Sequence, residues 1–504
     1  MQTKQRSIGG YRLIFGSIGY IIAMMGAVIM LPLAILPFYP EDLPYAKCFL
    51  IPGLASLVIG YLVTFILKKK KTEQLRHNRD AVMCVLAWIV AIFIGAVPFI
   101  LTGKYTFTCA VFEATSGFST TGFTVTDLTD CPHIVIMYRS MLHLVGGVGL
   151  ILIMSAVFSE VYGMKLYNAE GHMERLEPNL LHSARTILAI YSGFIAGGTL
   201  LYVIFGMPLF DAINYSISAV ATGGFSTTNE GLTLYDSTPI YLITIALMIL
   251  GGTNFMINLF LVRGKFSKVL KHCEVKFTIA IIAVFVPIFT FLLLKGFTDS
   301  LPAAVLHALF QVVTTFTTTG FCTTGDYVPN CAAAIMPMIV LMVIGCGAGS
   351  TAGGIKEYRA CITIKSIFWH IRSKTSDPKV VRSEKISKFG KDERVSNADK
   401  EEALVYVIMH LGIVAVGSWI MTLCGYGFED SLFESTSALG TIGLSSGIAN
   451  AQMHPVSLWV MIVEMLIARL EIFVIVLSLV RLSKDAFDVA DTAARKVFAK
   501  AAKR

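Results

Sequence analysis

Apolar runs as long as Tyr11–Pro37, Cys48–Leu67 and Ala81–Leu101 leave this chain few ways to fold. Each is near or above the ~20 residues that cross a bilayer as a helix. In lipid, only helices and closed barrels satisfy every backbone polar group. Charge is correspondingly sparse, at 15% of 504 residues, against roughly 25% in soluble domains. The first run is too long for a secretory signal, and a second span follows without a small-residue cleavage site. The longest polar stretch, residues 372–402, is too short to fold alone. The expected class is an all-α polytopic membrane protein.

The formal charge of +8 is concentrated in alternate connections: Lys68–Lys71 with Arg76 and Arg79, Arg263 to Lys276, residues 356–402, and Arg495 to Arg504. Such alternation with apolar runs reads as topology, with the basic loops and both termini in the cytoplasm. It argues against a nucleic-acid surface. Ten cysteines and ten histidines form no CxxC, zinc-ligand or HExxH pattern. No nucleophile–base pair of recognisable spacing lies within the spans, which argues against an intramembrane enzyme.

Internal repetition narrows the fold further. Ser119-Thr-Thr-Gly122-Phe123, Ala221-Thr-Gly-Gly224-Phe225, Thr317-Thr-Thr-Gly320-Phe321 and Gly440-Thr-Ile-Gly443-Leu444 align without gaps, their last glycines 102, 96 and 123 residues apart. Each follows a short apolar stretch flanked by longer ones, so the unit is span, half-span, loop, span. Pro208 and Pro302 suit the first turn of two half-spans. Four units and an N-terminal pair at about 11–38 and 46–68 predict ten transmembrane helices. The expected divisions are 1–79, 80–175, 176–270, 271–371, a cytoplasmic linker at 372–402, 403–484, and a tail at 485–504.

Irregular backbone at membrane depth survives only when buried or lining a watery path. Four such loops about one axis make a ring of carbonyls able to replace the hydration shell of potassium. The candidate ion ligands are Thr120, Thr121 and Gly122; Thr222, Gly223 and Gly224; Thr318, Thr319 and Gly320; and Thr441, Ile442 and Gly443. Half-helices ending at the loops would turn their partly negative ends toward a cation. Asp127, Asp130, Glu230, Asp236 and Asp326 follow the loops and would concentrate cations. Glu113, Gln311 and Glu434 each lie nine residues before a filter glycine and are expected to brace it. Asn254 and Asn258 are expected on one helix face.

The segments Phe112–Gly122, Gly345–Lys356 and Ala468-Arg-Leu-Glu471 resemble the TrkH/KtrB superfamily of potassium transporters, in its TrkH/TrkG branch. The likeness covers essentially the whole chain and departs at Leu144–Val145, Leu444 and Ala468, leaving the filter glycines intact. It implies a membrane subunit of the cytoplasmic (inner) membrane, homodimeric with one pore per chain. A TrkA-type nucleotide-binding ring would regulate it from the cytoplasm, and K+ would be the transported ion.

Small residues recur 24, 27, 25 and 25 residues after the four filter glycines, at Gly146, Gly251, Gly345 and Ala468. Arg469 stands beside the last of them, inside a span, which marks a functional site. Two readings apply: a guanidinium beneath the filter, or an ion pair with Glu464 or Glu471. In the third unit, Gly345, Gly347, Gly349, Gly353 and Gly354 would break the helix. They precede Lys356 but make no P-loop, because no glycine directly precedes that lysine. The expected outcome is two half-helices joined by an intramembrane loop that, with Lys356 and Arg469, gates the path. A potassium symporter coupled to protons or sodium is the alternative, since a carbonyl filter serves either.

Overall fold

The computed structural model describes residues 9–67, 79–149, 180–325, 331–377 and 383–501. The runs Lys68–Lys71 and 326–330, with Asp326, lie outside them. Helices α1 (Gly9–Met30) and α2 (Ala46–Ile66) form the N-terminal pair. Small residues let their backbones touch: a side-chain carbon at Gly26 would lie 2.6 Å from the Gly53 carbonyl oxygen. Such close approach is how helices associate where lipid supplies no hydrophobic drive.

A recurring order follows, numbered over the described residues. It begins with α3 (Arg79–Leu101), α4 (Phe107–Ser119) and α5 (His133–Val148), then α6 (Leu180–Ile204), α7 (Leu209–Val220), α8 (Thr238–Gly252), α9 (Phe255–Val262) and α10 (Phe266–Lys271). Next come α11 (Cys273–Gly296), α12 (Leu301–Phe316), α13 (Ala332–Ile344) and α14 (Glu357–Lys374). The last are α15 (Asn397–Leu423), α16 (Phe428–Gly440), α17 (Pro455–Leu470) and α18 (Ile472–Ala501). The short helices α4, α7, α12 and α16 have 13, 12, 16 and 13 residues, too few to span. They are buried along most of their length, and the longer helices pack around them. Their starts are set locally: Thr106 caps α4 through the Cys109 amide at 3.3 Å, and Pro302 occupies the first turn of α12. Pro208 is the residue before α7 and not within its first turn.

Among the described residues six helices are long and apolar enough to cross a membrane, or seven if α8 and α9 make one span. Their outer faces are apolar and exposed, as at Leu50, Leu54, Tyr61 and Phe65 of α2, which suits contact with lipid.

Three expectations need correction. First, the span after the second loop is not continuous: α8 and α9 meet at 117°. Asn254 therefore caps α9, accepting from the Met256 amide at 2.8 Å, and does not share a helix face with Asn258. Second, the chain is not entirely α-helical, because Lys385–Lys388 and Lys391–Arg394 pair as an antiparallel hairpin. Third, the last span also breaks, with Glu471 at φ 64° between α17 and α18.

Candidate functional site

The four short helices end in one geometry. The amides of Thr121, Gly223, Thr319 and Ile442 reach back five residues, to Ser116, Ser218, Thr314 and Ser437, at 2.8–3.0 Å. This closure turns the preceding threonines left-handed, at φ 56°, 51°, 56° and 54° for Thr120, Thr222, Thr318 and Thr441. A β-branched residue resists that conformation and adopts it only when its surroundings enforce it. Gly122, Gly224, Gly320 and Gly443 then carry φ of 89°, 74°, 91° and 81°.

These glycines bring the loops together in a closed circuit. A side-chain carbon on Gly122 would lie 2.0 Å from the Gly223 carbonyl oxygen, and one on Gly224 would lie 2.1 Å from that of Thr319. Gly320 approaches the Ile442 oxygen at 1.9 Å by the same measure, and Gly443 returns to the Thr121 oxygen at 2.1 Å. Eight of the twelve residues singled out in the sequence make these approaches, and the other four, Thr120, Thr222, Thr318 and Thr441, each directly precede one of them. At each approach a backbone carbonyl oxygen of one loop lies against a glycine of the next.

Two carboxylates hold the loops from outside. Glu113 accepts from Thr124 Oγ1 and the Val125 amide, both at 3.0 Å. Glu434 does the same in the fourth loop, accepting from Ser445 Oγ at 2.5 Å and the Ser446 amide at 2.9 Å. Gln311 does not follow them; it donates to Thr315 on its own helix at 3.3 Å. Glu113 also pairs with Arg139 Nε at 2.7 Å, both side chains fully buried. Arg139 donates to the Ser226 carbonyl at 3.1 Å and lies 4.0 Å over the Phe225 ring, which also stacks on His143 at 4.1 Å. Glu113→Ala would leave this guanidinium buried without its carboxylate. A loss of about 3–5 kcal/mol of stability is expected, seen as a lowered unfolding temperature in detergent. Unchanged unfolding would remove the bracing role.

In the connections that follow the first two loops, Asp127, Asp130, Glu230 and Asp236 are exposed. Hydrogen bonds from Asn229 and Thr129 hold the Asp127 carboxyl down at about 2, so it stays ionised.

The glycine-rich stretch joins α13 to α14 as a loop directly against the four Gly/Thr loops. Its ends are clipped together by the Ile355 amide on the Val343 carbonyl at 3.0 Å and by close contact of Gly345 with Gly354. Gly345, Gly349, Gly354 and Lys356 all have positive φ. The Gly353 amide donates to Thr318 Oγ1 at 3.0 Å, and Thr351 Oγ1 accepts from Thr222 Oγ1 at 2.9 Å. A side chain on Gly353 would strike Thr441 Oγ1 at 2.3 Å. The break between α8 and α9 receives the loop's far side: Gly347 donates to the Gly252 carbonyl at 3.0 Å, and Asn254 Nδ2 to that of Ala348 at 2.5 Å. The loop therefore docks at the break itself, where Gly251, Gly252 and the capping Asn254 end one helix and begin the next.

Arg469 reaches the same loop, donating to the Thr351 carbonyl at 3.4 Å and to the carbonyls of Gly146 and Gly147. Lys356 Nζ turns back onto the Ala352 carbonyl. Glu471 is engaged by Arg359 at 2.7 Å, and Glu464 by Ser435 Oγ at 2.5 Å. Between loop, Thr441 and Arg469 lies a cavity of about 20 Å³, room for about one water.

Sequence reasoning missed Arg139, although it lies inside an apolar run and meets the criterion that singled out Arg469. It also missed the Arg359–Glu471 pair, whose partners are 112 residues apart.

The family profile of TrkH, described as a cation transport protein, matches residues 47–488. The Trk system potassium uptake protein TrkH of Salmonella typhimurium is 31% identical, over 92% of this chain and 97% of its own length. That of Escherichia coli K12 is 30% identical over the same shares. An uncharacterised cation transporter of Methanocaldococcus jannaschii is 29% identical, over 90% of this chain and 92% of its own. The crystal structure of the potassium transporter TrkH from Vibrio parahaemolyticus superposes with a TM-score of 0.82 at 25% identity, covering 92% of this chain and 98% of that one.

Proposed function

The chain belongs to the TrkH family of cation transport proteins and is a transporter, not an enzyme; from that premise we propose that it takes up potassium through the circle of four loops. The observation that carries this is the closed circuit of contacts Gly122–Gly223, Gly224–Thr319, Gly320–Ile442 and Gly443–Thr121. Carbonyls brought so close from four loops replace water around a dehydrated K+. Four units of span, half-span, loop and span surround this axis, and with α1 and α2 they make ten transmembrane segments. Basic connections favour cytoplasmic termini in an inner membrane. The protein functions as a homodimer under a cytoplasmic nucleotide-binding ring of the TrkA type.

The loop from Gly345 to Gly354 is the gate. Its contacts with Thr222, Thr318 and the Thr441 region support a plug lying across the inner end of the filter. Arg469 latches it through the Thr351 carbonyl and adds positive charge in the cation path. Arg469→Ala is expected to raise K+ flux by roughly tenfold, a barrier change of about 1.4 kcal/mol, while leaving the unfolding temperature within a few degrees. If the arginine instead served a structural ion pair, the variant would lose folded protein.

Purified protein in liposomes provides the functional test. Flux should follow the K+ gradient, exceed Na+ flux, and reverse at the K+ equilibrium potential whatever proton or sodium gradient is imposed. A reversal potential that moved with either gradient would establish coupled symport instead. Equal K+ and Na+ flux would refute a selective filter.

A further inference from the structure

We propose that α10 is an in-plane anchor that binds the headgroups of anionic phospholipids and, through them, restrains the gating loop. This six-residue helix joins the bent pair α8–α9 to α11, where one candidate span stops and the next begins. Phe266 and Leu270, four apart, share one face and are 60% and 61% exposed, while Val269 is buried. Lys268 and Lys271, three apart, share another face and are exposed, as is Lys265. Exposed apolar side chains beside a basic face, at the end of a span, are the pattern of a helix lying in the bilayer interface. Loop topology alone accounts for basic residues here, but not for two large apolar side chains exposed among them.

The charge on this corner is of one sign. From Val262 to His272 the chain carries Arg263, Lys265, Lys268 and Lys271 and no Asp or Glu. Lys268 Nζ lies 5.1 Å and Lys265 Nζ 6.0 Å from the centre of the Phe260 ring, so two ammonium groups gather at one aromatic side chain. Among the described residues, none of Lys265, Lys268 and Lys271 pairs with a carboxylate. The phosphodiester of an anionic lipid supplies the complementary charge, and its acyl chains cover Phe266 and Leu270. A zwitterionic headgroup brings its own cation and fits less well.

The anchor joins the two elements that grip the loop. At the start of α9, Asn254 Nδ2 donates to the Ala348 carbonyl at 2.5 Å. At the start of α11, Glu274 Oε1 accepts from the Ala348 amide at 3.2 Å. One loop residue is thus held at both its backbone polar groups by the helices that α10 connects. For the loop to withdraw, α9 and α11 must release Ala348. Lipid bound along α10 favours the gripped arrangement, as a ligand favours whichever state it binds better. The effect on flux rests on the gate proposed above; the lipid site does not.

The test reconstitutes full-length protein in phosphatidylcholine vesicles containing a lipid brominated in its acyl chains, with either a phosphatidylglycerol or a phosphatidylcholine headgroup. Phe266→Trp, and separately Leu270→Trp, reports contact as fluorescence quenching beyond that of the wild type. Both lipids should quench, with a preference of roughly tenfold for brominated phosphatidylglycerol at low salt. That preference should fall toward unity at about 1 M salt, where screening is strong. Lys265→Gln, Lys268→Gln and Lys271→Gln combined should remove the preference and keep the contact. In phosphatidylglycerol vesicles this triple variant should pass K+ roughly threefold faster than the wild type, and in phosphatidylcholine alone the two should match. No quenching by either lipid would put the face against a protein partner, and equal quenching would leave no headgroup site; either result overturns the proposal. A variant lacking loop residues 348–351 separates the restraint from the gate. If that variant is open, and the triple variant keeps wild-type flux in phosphatidylglycerol, the restraint fails and the gate stands.

Discussion

A serine at any one of Gly122, Gly224, Gly320 or Gly443 is expected to cut the preference for K+ over Na+ by roughly tenfold or more. Two costs combine. The backbone at these positions has φ between 74° and 91°, which side-chain-bearing residues adopt at about 1–2 kcal/mol. The new carbon would also lie 1.9–2.1 Å from the next loop's carbonyl oxygen, a distance no contact tolerates. Loop and carbonyl must therefore separate, and the displaced oxygen belongs to the ring proposed to coordinate the ion. A shift of about 1.4 kcal/mol between the two ions is a factor of ten. The circuit predicts propagation too: damage at Gly122 displaces the Gly223 carbonyl in the second loop. Ion competition measured on well-expressed variants decides this. Unchanged selectivity in all four would mean the ion is chosen elsewhere.

Removing residues 348–351 is expected to raise basal K+ flux at least tenfold and to weaken its dependence on a cytoplasmic partner. The deletion takes away Thr351, and with it the contacts to Thr222, the Gly251 carbonyl and Arg469. It leaves the clip between Val343 and Ile355, so α13 and α14 remain joined. The loop has two anchored ends and a glycine-rich middle, the form of an element with two arrangements that a partner can bias. A folded variant whose flux stayed low and fully partner-dependent would make the loop a fixed kink.

Much of this site was legible in the residues because its parts are local. A Gly/Thr loop after a short apolar helix announces itself four times, and Thr120, Thr222, Thr318 and Thr441 sit at the same left-handed position in each. Five glycines in ten residues break a helix whatever surrounds them. What escaped depends on contacts across the chain. The bend at Thr253 has local contributors in Gly251, Gly252 and the capping Asn254, but the docking of the third unit's loop against it is a contact across the chain. Gln311 sits in register with Glu113 and Glu434, yet turns to its own helix. The hairpin at 385–394 is written in polar residues without strong alternation, and its placement comes from Ile386 and Phe389 finding partners on other elements.

The most direct measurement is the location of a permeant ion. Crystals grown with rubidium or thallium should show anomalous density on the axis encircled by the carbonyls of Thr121, Gly223, Thr319 and Ile442, and that density should vanish when Gly122 is replaced by serine. An ion bound elsewhere in a transport-competent protein, with that axis empty, would contradict the assignment of these four loops as the filter.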